Sequence, residues 1–155
     1  MTTRTERRAT PRVAKEARHR AREAAVQMLY QWEVGRASMH EVRQTFWLHE
    51  DPALEALSDE HRGFAETLAN GVVAEVGNID PVISEAAENW RLERMNVMDR
   101  LILRLAVYEF LHETATPAKV VINEALELAR TFSNDDAVRF VNGILDAIRK
   151  RLERE

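Results

Sequence analysis

MDRLILRLAVYEFL, residues 98–111, decides the fold. Its apolar residues lie nearly all round a helix rather than along one stripe, interrupted by Asp99, Arg100, Arg104 and Glu109. A helix of that kind must be covered on several sides. Asn96, followed three residues later by Asp99, supplies a start signal, so a central helix is expected from about residue 96 to Leu111.

Working outward, Thr116-Pro117 opens the next helix, with Val121, Ile122, Ala125, Leu128, Ala129 and Phe132 inward. Ser133 with Asp136 opens a last one that buries Ala137, Val141, Ile144, Leu145, Ile148 and Leu152. Upstream, Asp80-Pro81 reads as an N-cap followed by proline at the first helical position, starting a helix with Val82, Ile83, Ala86 and Trp90 inward. Ser58 starts another, burying Phe64, Leu68, Val72 and Val76 and stopping at Gly77. Ser38 and Glu41 make a capping box for a helix carrying Val42, Phe46 and Trp47, broken by Asp51-Pro52. The first helix begins near Ala14, puts Ala21, Ala25, Met28, Leu29 and Trp32 on one face, and ends at Gly35. No strand alternation and no internal repeat competes with this pattern. The expectation is an all-α bundle of about seven helices.

A chain of 155 residues suits one domain, or two small helical subdomains sharing a core. It has no cysteine, which excludes disulfides and thiolate metal sites. It shows neither a signal-peptide pattern nor an apolar run long enough for a membrane span, and a cytoplasmic protein is expected. The net charge of −4 hides an asymmetry: residues 1–22 carry +6, leaving −10 for the rest. Residues 1–13, rich in Thr and Arg, read as a flexible basic arm, and residues 14–155 as one helical domain. A cationic arm on an acidic body points to an anionic partner at one end and a separate, basic partner elsewhere. A merely solubilising tail competes with that reading.

Catalytic and metal chemistry find little support. His19, His40, His49, His61 and His112 show no ligand spacing, the five glycines form no phosphate loop, and no nucleophile setting is evident. Glu109 falls on the buried face of the central helix, where a tie to an arginine or to backbone donors is favoured over a catalytic role.

On the first helix, Lys15, His19, Arg22 and Tyr30 fall on one flank, Arg18 lies between flank and core, and Arg20 lies on the far side with Gln27 and Gln31. Cations beside an exposed aromatic suit phosphate attraction plus base stacking; a solvated helix end with a packed Tyr30 explains them nearly as well. The arm tilts the balance toward nucleic acid. On the last helix Phe140 sits at the edge of the core with Arg139 outward, and Asp136 has a capping role of its own.

Several blocks in this order resemble the NusB family of transcription antitermination factors: RAREAAVQMLYQWE (20–33), LILRLAVYEFL (101–111), TPAKVVINEALELARTF (116–132) and RFVNGILD (139–146). The resemblance spans about residues 18–150. It implies two helical subdomains and RNA binding without catalysis or cofactor. It further implies pairing with NusE, a small-subunit ribosomal protein, on the single-stranded boxA element of ribosomal RNA leader transcripts, within a complex that keeps RNA polymerase elongating. Related domains front certain RNA cytosine methyltransferases; with the chain closing soon after FVNGILD, no such domain is expected here. By resemblance the RNA-binding residues are Lys15, Arg18, His19, Arg20, Arg22, Tyr30, Asp136, Arg139 and Phe140. His19 stands where the family often has Arg, and an ordinary histidine is mostly uncharged at neutral pH. Asp136, a carboxylate near a phosphate path, is expected to limit affinity. Asp99 matches an acidic partner-contact position, although capping explains it equally. Some family members self-associate, so a homodimer is a further state the resemblance allows. The competing function is a helical protein-interaction adaptor whose basic arm docks an acidic partner.

Overall fold

A computed structural model describes residues 11–48 and 51–154. The helices are α1 (Pro11–Glu33), α2 (Met39–Phe46), α3 (Pro52–Glu55), α4 (Asp59–Ala86), α5 (Val97–His112), α6 (Ala118–Phe132) and α7 (Asp135–Arg151), with a 3₁₀ turn at Leu92–Arg94. The described residues contain no strand.

As its composition requires, α5 is the hub. Every residue from Leu101 to Phe110 is buried, and the helix packs against α1, α4, α6 and α7. Two charges sit inside that buried run, and each is answered from another helix, as buried charges must be. The Arg104 guanidinium donates to both carboxylate oxygens of Asp80 on α4 at 2.9 Å. Glu109 accepts from Nε of Arg22 on α1 at 3.0 Å and from its Nη2 at 2.8 Å. A third tie, from Arg100 to Glu33, closes at 2.8 Å. Contact between α4 and α5 is so close at Gly71 that a Cβ there would lie 2.2 Å from the Tyr108 ring. One contiguous apolar core links α1–α4 to α5–α7 through α5.

Local chemistry sets most helix starts. Ser38 Oγ accepts from the Glu41 N–H and Ser58 Oγ from the His61 N–H, both at 3.2 Å. Asn96 Oδ1 accepts from the Met98 N–H at 2.9 Å. Other boundaries depart from the sequence reading. Helix α1 starts at Pro11, not Ala14, so residues 11–13 of the expected arm are helical; proline at the first helical position loses no hydrogen bond. The rest of the expected basic arm, residues 1–10, lies outside the described residues. The helices expected to stop at Gly77 and restart at Pro81 are one 28-residue helix. The rung lost at Pro81 is the one to the Gly77 carbonyl, and Asp80 is committed to Arg104 rather than to capping. Trp90, expected inward, lies beyond that helix and is 58% exposed. The break at Asp51-Pro52 is itself a cap: Asp51 Oδ1 accepts from the Ala53 N–H at 2.9 Å and opens the one-turn α3. Gly35 does follow α1, but the left-handed residue is Arg36, at φ 53°. The cap of α7 is Asn134 rather than Ser133, with its Oδ1 2.9 Å from the Ala137 nitrogen. Asp136 therefore makes no capping-box bond.

Candidate nucleic-acid interface

The amino-terminal half of α1 lies along α6, and the cations of the opening stretch divide according to what α5 and α6 place opposite them. Arg22 is only 2% exposed. Its fork on Glu109 is joined by Glu124 on α6 at 4.0 Å, and its guanidinium lies 5.6 Å from the Phe64 ring centroid. Burial works against its charge, and the Glu109 carboxylate restores it; burial likewise pushes the Glu109 carboxyl up, against the pull of Arg22. Arg22, which the resemblance placed among the RNA-binding residues, is thus a buried strut between α1 and α5. The tie expected for Glu109 is the one found.

His19 is also turned inward. Its Nδ1 lies 2.7 Å from Glu124 and its Nε2 3.2 Å from Glu23. Hydrogen bonds to Glu124 and Glu23 raise its pKa from 6.5 to about 9, so both ring nitrogens donate at neutral pH. The mostly uncharged histidine expected from sequence is an imidazolium. Its charge is balanced on the spot, because the His19 contact holds both carboxylates below their usual range against the upward push of burial. Arg20 pairs with Glu23 at 2.8 Å while about half its side chain stays exposed.

Arg18 and Lys15 have no ion pair among the described residues, and both are exposed. Arg18 lies fully on the surface rather than between flank and core. Lys15, His19 and Arg20 line a groove of about 450 Å³ with Arg12, Glu124 and Glu127. Arg12 pairs with Glu16 at 3.5 Å on an open face.

Farther along α1, Tyr30 is 41% exposed. It borders a second cavity, of about 550 Å³, with Phe132 and Met98. Gln27 and Gln31 line this cavity too, so the helix face expected to be remote from Tyr30 shares its walls. A third cavity, of about 350 Å³, adjoins it along the start of α5 and the end of α6; Met98 and Phe132 on one rim are followed by Asp99 and Ser133 on the other. Phe140 and Asp136 line this third space together with Trp90. The Trp90 and Phe140 rings meet edge to face with centroids 5.4 Å apart. Asp136 and Arg139 pair with each other at 2.6 Å, with side chains 88% and 79% exposed. Asp99 is buried, and its Oδ1 has no hydrogen-bond partner among the described residues. Burial raises its pKa, while a hydrogen bond from Ser133 opposes the rise. The side chain that caps α5 is that of Asn96, and Asp99 is the acidic residue of its first turn.

Of the residues named from sequence, Lys15, His19 and Arg20 line the groove, Tyr30 the second cavity, and Asp99, Asp136 and Phe140 the third; Arg18 and Arg139 stand exposed outside these linings and Arg22 is buried. The described residues hold no group of three or more His, Cys, Asp or Glu arranged to bind a metal.

The sequence pattern of the NusB family covers residues 19–150. This chain belongs to the NusB family. It is 43% identical over 138 residues to the transcription antitermination protein NusB of Koribacter versatilis, spanning 89% of this chain and 92% of that one. With the protein of the same name from Desulforudis audaxviator it shares 44% identity over 131 residues, 84% of this chain and 91% of the other. The solved structure of T. maritima NusB superposes with a TM-score of 0.76 at 35% identity, covering 86% of this chain and 90% of that one. A structure of antitermination factors NusB and NusE in complex with dsRNA gives 0.68 at 25% identity, covering 87% and 97%. Trp90, which the sequence pattern turned inward as part of a helix, lies beyond Ala87, the cap of α4, where helical periodicity does not govern it.

Proposed function

We propose that this NusB-family protein is a transcription antitermination factor that binds single-stranded boxA RNA of ribosomal RNA leader transcripts together with NusE, and keeps RNA polymerase elongating within the Nus complex. The observation that carries the RNA contact is that exposed Lys15 and Arg18 stand on the same helix as the partly exposed Tyr30, in a molecule that also presents the Trp90–Phe140 ring pair. Phosphates are drawn to the cations, and unstacked bases find surfaces on the rings. The charge of −10 outside residues 1–22 suits a basic ribosomal protein. The protein works by binding rather than catalysis, in the compartment where transcripts are made; Glu109, its most enclosed carboxylate, is committed to Arg22.

The test is fluorescence anisotropy of a labelled boxA RNA against a scrambled one, with and without NusE. Tighter binding to boxA in the presence of NusE, weakened in Lys15→Ala/Arg18→Ala and at high salt, is the expected result. Equal binding to both RNAs, indifferent to NusE and to the substitutions, overturns the reading in favour of a protein-interaction adaptor.

A further inference from the structure

The cavity beside Tyr30 has more chemistry than a stacking surface needs. It is lined by the apolar side chains of Phe46, Leu54, Met98 and Phe132 and by the carboxylate of Asp51, whose Oδ1 is held by the Ala53 N–H. Two amides, Gln27 and Gln31, stand on its α1 wall one helical turn apart. Neither amide makes a side-chain hydrogen bond among the described residues. Each offers two donors and one acceptor. Its volume of about 550 Å³ falls within the range of small-ligand pockets, roughly 300–1,000 Å³.

We infer that this cavity takes one unstacked nucleobase of the bound strand, held between Tyr30 and Phe132, with Gln27 and Gln31 reading its hydrogen-bonding edge. The inference rests on the RNA-binding reading above and adds to it a place where base identity is sensed. Position selects the occupant. The exposed cations of Lys15 and Arg18 stand on the same helix, 12 to 15 residues before Tyr30, or about 18–23 Å at the α-helical rise. A strand gripped there by its phosphates is delivered to the cavity mouth. An apolar side chain from a protein partner would fill the space but bury both amides unpaired, at a cost that the edge of a base avoids. Amide side chains pair bidentately with base edges, which gives the cavity a means of discrimination that stacking alone lacks.

The test uses the full chain with NusE and a set of boxA RNAs carrying an abasic site, and separately each alternative base, at successive positions. One position is expected to lose roughly five- to 150-fold in affinity when its base is removed, the contribution of one stacked base. In Gln27→Leu/Gln31→Leu, replacement of that base by another should no longer matter, while the salt dependence set by the phosphate contacts stays as in the parent. A second variant, Gln31→Trp, fills the cavity and should reproduce the abasic loss; thermal unfolding confirms that both variants fold. If both variants keep the parent's base preference and affinity, the cavity does not read RNA, although salt-sensitive binding would leave the wider reading intact. If Gln31→Trp abolishes NusE binding without changing RNA affinity, the occupant is a protein side chain and the inference fails. Absence of any salt-sensitive RNA binding by the parent overturns both readings together.

Discussion

The two ends of the candidate interface treat charge in opposite ways. At the start of α1, the cations meet carboxylates from distant parts of the chain: Arg22 meets Glu109, 87 residues away, and His19 meets Glu124, 105 residues away. These contacts are buried or half-buried and hold helices together. At the start of α7, Asp136 and Arg139 are three residues apart on an open surface and hold only each other. A local exposed pair re-partners at little cost, since such pairs contribute about 0–1 kcal/mol. A long-range buried pair cannot be given up without loosening the fold. Basic residues in one short stretch thus serve as framework or as ligand contact according to what the tertiary structure sets against them.

The sharpest way to break this contrast is to remove one half of the buried pair. Glu109→Ala strands a charged Arg22 in the core and is expected to cost about 3–5 kcal/mol, seen as a lowered urea midpoint. Replacing both partners by apolar residues, as in Arg22→Met/Glu109→Leu, should recover most of that loss; equal midpoints for the single and double variants would show that the pair is not the tie. Gly71→Ala comes next, because its methyl would meet Tyr108 at 2.2 Å. Overpacking of this kind costs about 1–3 kcal/mol, and the penalty should shrink in a Tyr108→Leu background.

A smaller effect is expected from pH. The folded pKa of His19 is raised from 6.5 to about 9, so its stabilising contribution is complete below about pH 6.5 and disappears as pH climbs through about 9. Wild type should lose stability over that window relative to His19→Gln, and parallel stability curves for the two would contradict the imidazolium bridge. Arg18→Ala should leave the melting temperature in place, weaken RNA binding severalfold and lower the slope of log affinity against log salt by about one phosphate contact. The mildest change is Asp136→Asn. With Asn134 capping α7, the fold should be indifferent, and removal of a carboxylate facing the RNA should tighten binding by roughly two- to fivefold, within what one exposed charge contributes. Weaker binding by a stably folded Asp136→Asn would move Asp136 off the RNA path.

What was legible in the sequence was local. Ser38, Ser58 and Asn96 announced their helices because a cap is satisfied within two or three residues. The hub role of α5 was legible because a helix apolar all round leaves no alternative to burial. The reading failed where a residue had two plausible tasks and tertiary structure chose between them. Asp80-Pro81 has the form of a helix start, yet Arg104 claims the carboxylate and the helix runs on through the proline. Ser133 and Asn134 are both good caps, and a hydrogen bond from Ser133 serves Asp99 instead. A helical wheel put Arg22 on a flank with Lys15 and Tyr30 correctly, but no wheel contains Glu109. The cations of α1 could be counted from sequence, whereas their availability could not.

The uninterrupted course of α4 across Pro81 has a consequence for local opening. Proline offers no N–H, so the hydrogen-bond ladder has a missing rung where the Gly77 carbonyl would be met. The turn from Pro81 to Ala86 therefore owes its place less to the helix before it than to burial of Ile83 and to the grip of Arg104 on Asp80. In amide hydrogen exchange, the two halves of α4 should act as separate cooperative units. Protection of the second half should fall when Arg104 is replaced, while the amides from Phe64 to Val76 keep the exchange rates of the parent.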